Sequence, residues 1–141
     1  MNGIVIRRLI PADGDLVLSA GDDVFDDRPR PDWTAAALAD PAQRIVGALA
    51  GRRLIGFAAG AVVRQPDKPP AFYLNEIGVA EGFRRRGVAT ALMRAVMDAA
   101  RDMGCASLFV LAEAEDDQAN DFYRAIGADG AVPATVWEFS V

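Results

Sequence analysis

The chain has 141 residues, of which 52% are hydrophobic and 25% are charged. These proportions are typical of a soluble globular protein and exclude the disordered and collagen-like classes. The net charge of −5 argues against a protein that binds nucleic acid by general electrostatic attraction. We therefore expect one domain over residues 1–141 and no nucleic-acid partner.

Histidine is absent, and Cys105 is the single cysteine. The chain therefore has no histidine-based catalytic triad, none of the commonest zinc sites and no internal disulfide, so we expect no metal and interpret Cys105 as a small buried hydrophobe. Residues Met1 to Arg8 lack the pattern of a signal peptide, and the uncharged run Leu54 to Val63 has about half the length that spans a bilayer. We predict a cytoplasmic protein without a membrane partner.

The N-terminal third predicts a short strand and two helices around an acidic loop. Ile4 to Ile6 is β-type, and a helix is expected from Asp13 to Val24. The loop Asp22 to Pro31 follows, and Asp32 is a suitable N-cap for a second helix, Trp33 to Ala39. We interpret the loop as a solvated connector, and a substrate lid is the alternative.

The middle of the chain predicts an antiparallel meander of three strands. Arg44 to Ala50 and Arg53 to Val63 are separated by Gly51 and Arg52, which is a hairpin signal. A polar connection from Gln65 to Pro70 leads to a third strand, Phe72 to Val79. Glycines inside these strands indicate bulges or close approach of the backbone.

The C-terminal half predicts two helices and two strands. Apolar residues recur at helical spacing from Val88 to Met103, after which Gly104 ends the helix. Ala106 to Ala112 is a mostly apolar strand, expected to be buried and parallel to the strand before the helix. A second helix, Gln118 to Ile126, is capped by Asp116 or Asp117, and Val136 to Val141 alternates as a strand that closes the sheet.

The turn between the third strand and the first long helix has the chemistry of an anion site. Arg84, Arg85 and Arg86 stand in front of Gly87, where the helix begins. A helix N-terminus presents unpaired N–H groups and a partial positive charge, and glycine lets a phosphate approach the backbone. A solvated basic turn is the alternative interpretation.

Two motifs resemble the GNAT superfamily of acetyl-CoA-dependent N-acetyltransferases. Arg84-x-x-Gly87-x-Ala89 is similar to its pyrophosphate loop, and Phe122-Tyr123 followed by Ile126-Gly127 is similar to its Leu-Tyr-x-x-Leu-Gly signature. The resemblance implies an α/β (α+β) fold: a mixed, mostly antiparallel central sheet flanked by helices, with a splayed parallel strand pair at the cofactor site. Asp116-Asp117-x-Ala119 and the short chain ending in Trp137-Glu138-Phe139-Ser140-Val141 also resemble the small aminoglycoside 3-N-acetyltransferases.

The resemblance implies acetyl-CoA as cosubstrate. Its pantetheine would pair with the backbone of Ile77 and Val79, and its pyrophosphate would lie on the N–H groups of the arginine turn. A backbone N–H near Val79 would polarise the acetyl carbonyl, a role worth about 3 kcal/mol in other enzymes. The cofactor-binding residues implied by the resemblance are Ile77, Gly78, Val79, Arg84, Arg85, Arg86, Gly87, Val88, Ala89, Thr90, Asp116, Ala119 and Phe122.

Acetyl transfer to an amine requires two proton transfers. Glu76 and Glu113 are the candidate bases that accept the proton of the amine, and Tyr123 is the candidate acid that protonates the departing thiolate. Surface carboxylates at strand ends and an ordinary amphipathic tyrosine are the alternative interpretations.

The resemblance predicts an N-acetyltransferase that acts on a primary amine of a small cationic acceptor such as an aminoglycoside, with antibiotic resistance as its consequence. The alternatives are a non-catalytic acyl-CoA sensor or accessory protein, and an acetyltransferase for a protein, peptide or polyamine amine. A nucleotide-binding domain is disfavoured because the P-loop lysine and the Rossmann glycine spacing are missing. A homodimer is an open possibility.

Overall fold

The computed structural model describes residues 3–141. Contacts divide the chain into two compact units, of which the first ends at Val110 and the second begins at Leu111. The predicted single domain over residues 1–141 stays a prediction, and Met1 and Asn2 lie outside the described residues. No helix of the described part is long and apolar enough to cross a membrane.

The first unit contains a five-stranded sheet. Its strands are β1 Ile4–Arg8, β2 Gln43–Ala50, β3 Arg53–Gln65, β4 Lys68–Val79 and β5 Ser107–Val110. They lie in sequence order; β1 to β4 are antiparallel neighbours, and β5 runs parallel to β4. The predicted fold class is therefore confirmed. The parallel strand that follows the long helix is confirmed over Ser107–Val110, but its predicted burial is wrong, since none of these four residues is buried.

The meander differs from the prediction only at its second connection. Gly51, with φ of 60°, makes the β2–β3 turn that the sequence predicted. The predicted connection Gln65 to Pro70 is wrong, since β4 begins at Lys68. The β3–β4 ladder passes directly from the pair Val63 and Ala71 to the pair Gln65 and Lys68, so it skips Pro69 and Pro70. Their missing N–H groups are tolerated at such an irregularity.

The first helical segment is shorter than predicted. A 3-10 turn, Pro11–Asp13, leads into α1, Gly14–Leu18. The expected continuation to Val24 is wrong, because the Ser19 hydroxyl donates to the Asp15 carbonyl at 2.7 Å and the chain then enters a glycine- and aspartate-rich loop. Serine and aspartate compete for backbone groups in this way and disfavour helix interiors.

The second helix, α2, spans Pro31–Ala39. Asp32 is not its N-cap, as the sequence had predicted. Pro31 occupies the first helical position, which its fixed φ and missing N–H favour, so the cap falls on Arg30. Asp32 pairs with Arg30 at 3.1 Å.

An ion pair ties β1 to the first turn. Asp13 is buried and accepts two hydrogen bonds from the Arg7 guanidinium, each of 2.9 Å, and one from the Ile10 N–H at 2.7 Å. The Arg7 hydrogen bonds hold the pKa of the Asp13 carboxyl below its usual range. A bidentate guanidinium of this kind fixes orientation as well as charge.

Helices cover both faces of the sheet. The long helix α3, Val88–Asp102, packs on one face, where its Leu92 lies against Gly56 of β3. Its buried residues are Val88, Leu92, Met93, Val96 and Ala100. The other face carries a cluster under α1 and α2 that consists of Leu9, Val17, Leu38, Leu49 and Leu54.

The second unit contains one helix, α4, Asp117–Ala125. Its N-cap is Asp116, whose carboxylate accepts the Ala119 N–H at 3.0 Å. The predicted strand Val136 to Val141 is wrong: residues 128–141 form neither helix nor strand and are exposed. A strand requires a neighbour for its N–H and C=O groups, and the alternating sequence alone does not supply one.

We predict that Gly60→Ala destabilises the first unit. A Cβ at Gly60 would collide with the Tyr73 carbonyl oxygen and the Phe72 ring, so β3 and β4 would have to separate. We expect a loss of about 1–3 kcal/mol in the free energy of unfolding, measured by chemical denaturation. Gly82→Ala is the control, because a Cβ there meets no atom within 4 Å; equal stability of the two variants would contradict the prediction.

Candidate active site

The β4–β5 ladder stops before β4 does. Pairing runs from Ala71 with Ser107 to Leu74 with Val110, whereas β4 continues to Val79. Over Asn75–Val79 the described strands pair with β4 only through β3. No described strand therefore pairs with this edge of the segment, at the place where the sequence predicted a splayed parallel pair for pantetheine.

The predicted anion turn follows β4 directly. Arg85 and Gly87 have φ angles of 60° and 79°, and the first helical hydrogen bond joins the Ala91 N–H to the Gly87 carbonyl at 3.0 Å. From Arg85 to Thr90 the described chain contains no protein acceptor for the backbone N–H groups. A row of free N–H groups with the partial positive charge of a 15-residue helix suits a diphosphate.

The three arginines of the turn have different surroundings. Arg84 donates its Nε–H to the Val79 carbonyl at 2.9 Å, so it fastens the turn to the end of β4. The guanidinium of Arg86 lies 5.3 Å from the centre of the Phe83 ring. Arg85 and Arg86 form no ion pair within residues 3–141, so their charges are available to an anion. The Val79 carbonyl thus already accepts a hydrogen bond from within the chain.

Hydrogen bonds and close packing hold the acidic loop against the end of β4. The interpretation as a solvated connector is therefore wrong for Asp23, Val24 and Asp26. Asp23 accepts the Glu81 N–H at 2.8 Å, and the Asp26 N–H donates to Glu76 at 2.8 Å. Between them, the Val24 carbonyl lies so close to Gly78 that a Cβ there would collide with it. The sequence showed the aspartates but gave no signal for these partners, which are 50 or more positions away.

Phe25 anchors the same loop by apolar contact. Its ring centre lies 4.1 Å from that of Phe57 on β3. Beside it is a cavity of about 240 Å³ whose polar lining includes three carboxylates and one guanidinium. These residues are Asp22, Asp26, Asp27 and Arg28.

Glu76, one of the two predicted bases, lies beneath the acidic loop. It is half-buried on β4, and this burial raises the pKa of its carboxyl. The charges of Asp26 and Asp27 raise that pKa further, while the hydrogen bond from the Asp26 N–H opposes the rise. A carboxylate with a raised pKa accepts a proton more readily than an exposed one.

Glu113 lies in the second unit, and its side chain is exposed. Its carbonyl accepts hydrogen bonds from the Asp116 N–H at 3.0 Å and from the Asn120 amide at 2.9 Å. Asn120 also donates to the Asp116 carbonyl at 2.9 Å. Asn120 is not among the predicted site residues, yet its two hydrogen bonds stabilise the turn that leads into α4. The proposed base role of Glu113 stays a prediction.

Tyr123 is half-buried on α4. Burial raises the pKa of its phenol, and the charge of Asp116 adds to the rise. A tyrosine hydroxyl is protonated at neutral pH without any shift, and the raised pKa makes it a weaker proton donor. Its ring meets that of Phe122 edge-on, with centres 5.3 Å apart, and its role and those of Asp116, Ala119 and Phe122 stay predictions.

The first unit thus brings together two groups of predicted site residues. Glu76, Ile77, Gly78 and Val79 form the open end of β4, and the turn from Arg84 to Thr90 continues from it. Within the described residues no cluster of three or more His, Cys, Asp or Glu side chains could hold a metal ion.

Comparison with known proteins identifies the class. Residues 14–128 match the acetyltransferase (GNAT) family. N-alpha-acetyltransferase RimI of Mycobacterium tuberculosis is 32% identical over 100 residues, which are 67% of this chain and 60% of the relative. The match therefore spans less than two thirds of that relative's length.

Solved structures show the same fold. An aminoglycoside acetyltransferase from an uncultured soil metagenomic sample, in complex with sisomicin, has a TM-score of 0.87 and 21% identity, covering 99% of this chain and 97% of that one. Aminoglycoside N-acetyltransferase AAC(6')-Iy in complex with CoA has a TM-score of 0.81 and 22% identity, covering 98% and 95%. The chain belongs to the acetyltransferase (GNAT) family.

We predict that Asp23→Ala loosens the acidic loop. Loss of the carboxylate removes the acceptor of the Glu81 N–H, and a hydrogen bond to a charged group is worth about 1.5–3 kcal/mol. Amide hydrogen exchange at Glu81 and over residues 22–27 should become at least about tenfold faster. Asp22→Ala is the control, because it removes a carboxylate that makes no hydrogen bond within residues 3–141. Equal exchange rates in the two variants would contradict the claim that the Asp23 hydrogen bond to the Glu81 N–H holds the loop.

Proposed function

We propose that this protein is an acetyl-CoA-dependent N-acetyltransferase whose acceptor is a primary amine of a small cationic molecule. The observation that carries the proposal is the continuity of three features along β4. Its open edge lies beside the row of free N–H groups in the following turn, and Glu76 lies under the acidic loop on the same strand.

The cofactor part of the proposal rests on the turn from Arg85 to Thr90. Its N–H groups would hold the diphosphate of acetyl-CoA, and Arg85 and Arg86 would supply charge. Gly87 leaves open space where any other residue would place a Cβ. The free edge of Asn75–Val79 would pair with the pantetheine amides as a neighbouring strand would, which supports the predicted roles of Ile77 and Val79.

The acceptor part rests on charge around Glu76. The 240 Å³ cavity beside Phe25 carries Asp22, Asp26 and Asp27, and the Asp26 backbone binds Glu76 directly. The three carboxylates outnumber the one guanidinium, so the cavity attracts a cation. A neutral or anionic acceptor would gain no electrostatic attraction there. An aminoglycoside, which carries several ammonium groups, is the acceptor class that we favour.

The chemistry then follows from two side chains. Glu76 accepts a proton from the bound ammonium, directly or through a water, so that the nitrogen lone pair can attack the acetyl carbon. As the new C–N bond forms, the carbon–sulfur bond breaks, and the Tyr123 hydroxyl donates its proton to the departing sulfur. The attacking nitrogen then loses its second proton through water to the Tyr123 phenolate, which restores the hydroxyl and leaves the neutral amide. A backbone N–H near Val79 would stabilise the developing oxyanion.

A second acceptor class has its own support. The relative with 32% identity is named an N-alpha-acetyltransferase, so the α-amine of a protein or peptide is the alternative acceptor. A non-catalytic acyl-CoA sensor is the alternative from another class, and the raised pKa of Glu76 favours the enzyme.

Release of CoA thiol from acetyl-CoA in the presence of an amine panel tests the proposal. The panel contains aminoglycosides, linear polyamines and peptides with a free N-terminus. We expect the highest kcat/KM with a small polycationic amine. Faster turnover of the peptides would assign the α-amine class instead, and binding of acetyl-CoA without turnover of any amine would identify a sensor.

We predict that Gly87→Val removes binding of acetyl-CoA. Valine disfavours a φ of 79°, and its side chain would fill the space in front of the free N–H groups. Acetyl-CoA at a hundredfold excess over its dissociation constant should stabilise the wild type by about 2.7 kcal/mol in thermal melts, and the variant should show no shift. Gly82→Val is the control, since a Cβ at Gly82 meets no atom within 4 Å. A full thermal shift in the Gly87→Val variant would contradict the placement of the diphosphate on this turn.

We predict that Glu76→Gln lowers kcat and raises stability at neutral pH. The pKa of Glu76 is raised by folding, so the folded state binds its proton more tightly than the unfolded state does, and stability falls as pH rises through that folded pKa. Glutamine keeps the shape without the charge, so its advantage in Tm should grow from about pH 4 upwards.

The loss in kcat should be about 10²-fold to 10⁴-fold, the range of general base catalysis. In the wild type, kcat should fall as pH drops through the raised pKa, because the protonated carboxyl cannot accept the amine proton. Near-normal turnover by a folded Glu76→Gln protein would remove Glu76 as the base and leave Glu113 as the candidate.

A further inference from the structure

A groove lies between the C-terminal part of α3 and the strands β1 and β2. Its volume is about 380 Å³, which falls within the range of pockets that hold small ligands. Every residue that lines it belongs to the first unit, and none is among the predicted site residues. Its charged residues are Arg7, Arg8, Arg44, Asp98 and Asp102.

The groove is separate from the arginine turn. Asp98 and Asp102 belong to the last part of α3, roughly 15–21 Å along the helix axis from Val88, the first residue after the turn. Ala95 and Ala99 face the groove one helical turn apart, and their small side chains leave the space that it occupies. A ligand in the groove would therefore not overlap with a diphosphate on the turn.

Two of the five charged residues are neutralised within the chain. Arg7 donates two hydrogen bonds of 2.9 Å to the carboxylate of Asp13. Asp98 accepts a hydrogen bond of 2.7 Å from Arg101. Arg7 and Asp98 thus already have partners of opposite charge, and the charges that a ligand could neutralise are those of the other three residues.

The strand wall of the groove carries two guanidinium groups without a carboxylate. Arg8 and Arg44 form no ion pair within residues 3–141. Arg44 is half-buried, and its side chain donates only to the carbonyls of Pro41 and Gln43, at 3.4 and 2.9 Å. Burial lowers the pKa of the Arg44 guanidinium, and the charge of Arg8 lowers it further. Like charges held near each other and partly away from water cost stability, which a bound anion would offset.

The helix wall has the opposite character. Asp102 is the last residue of α3, and it forms no ion pair among the described residues. The C-terminal end of a helix also carries a partial negative charge from its unpaired carbonyls, which favours a cation nearby. The groove therefore offers two free positive charges on one wall and one free negative charge on the other.

We propose that this groove is a binding site for a small α-amino dicarboxylic acid, whose two carboxylates bind Arg8 and Arg44 and whose ammonium group binds Asp102. The three charges of such a ligand match the three free charges of the groove one for one. The forked guanidinium of arginine suits a carboxylate in particular. A polyamine would be repelled by the arginines, and a dicarboxylate without an ammonium group would be repelled by Asp102. The proposal does not depend on the acetyltransferase function.

Isothermal titration calorimetry of the full chain with L-glutamate tests the site. We expect a dissociation constant of about 1 mM or below. Glutarate lacks the ammonium group and L-glutamine lacks the second carboxylate, so each should bind about tenfold more weakly or worse, because one charged group of the protein would stay without a partner.

Three substitutions locate the ligand. Arg44→Gln and Arg8→Gln should each weaken the binding of L-glutamate about 10-fold to 100-fold. Asp102→Asn should weaken the binding of L-glutamate but not that of glutarate. Arg53→Gln is the matched control, because it removes an exposed arginine of β3 that does not line the groove, and it should leave both affinities unchanged. If Arg44→Gln does not fold by circular dichroism, Arg8→Gln, at an exposed position, carries the test.

Four outcomes would overturn the proposal. The first is no binding of L-glutamate up to about 10 mM. The second is wild-type affinity in folded Arg8→Gln and Arg44→Gln proteins. In the third, glutarate binds as tightly as L-glutamate, so the ammonium group has no partner in the groove. In the fourth, Arg85→Gln weakens binding and Arg44→Gln does not, which would place the amino acid on the arginine turn.

Discussion

The early end of the β4–β5 ladder is the constraint on which the site depends. Parallel pairing stops at Leu74 and Val110, so the last five residues of β4 keep an unpaired edge inside an otherwise continuous sheet. Unpaired backbone groups are costly when buried, and a ligand that extends like a strand satisfies them. The turn with free N–H groups begins where this edge ends, so amide pairing and anion binding fall on one continuous path. The acetyltransferase proposal follows from that order along the chain.

A second constraint acts on the face of β4 that carries Gly78. Gly78 lacks a side chain, so the Val24 carbonyl can lie against the strand, and Asp23 and Asp26 are held on either side by Glu81 and Glu76. The loop keeps Glu76 half-buried and near two further carboxylates, which raises its pKa. This arrangement costs stability at neutral pH, and such costs are commonly found where a carboxylate performs chemistry.

Local signals made most of the fold predictable from the sequence. Gly51, the helical spacing from Val88 and the Asp116 cap each act within a few residues of their effect, and all were confirmed. Two of the failures have local causes, since α1 ends early at Ser19 and Pro31 moves the cap of α2 to Arg30, and the others depend on distant partners. The acidic loop forms hydrogen bonds with residues 50 or more positions away. The prolines at the start of β4 are tolerated because the β3–β4 ladder skips them, and residues 136–141 form no strand because an alternating sequence does not provide an edge to pair with. The site divides in the same way: motif spacing indicated the arginine turn, but no pattern indicated that Arg84 bonds to Val79 or that Asp23 holds Glu81.

Charge segregation around β4 explains how a protein with a net charge of −5 could serve both an anionic and a cationic substrate. The arginine turn continues from the end of the strand, and the aspartates of the loop lie on the face that carries Glu76 and Gly78. Arg85 and Arg86 are unpaired among residues 3–141, so the turn keeps its cationic charge although the whole chain is acidic. Screening limits the reach of each cluster to about 10 Å at 0.1 M salt, so the overall negative charge does not prevent a local anion site. In the proposed reaction the two substrates would meet at the end of one strand, each attracted by the cluster of opposite charge and repelled by the other, so that local charge fixes which substrate occupies which side.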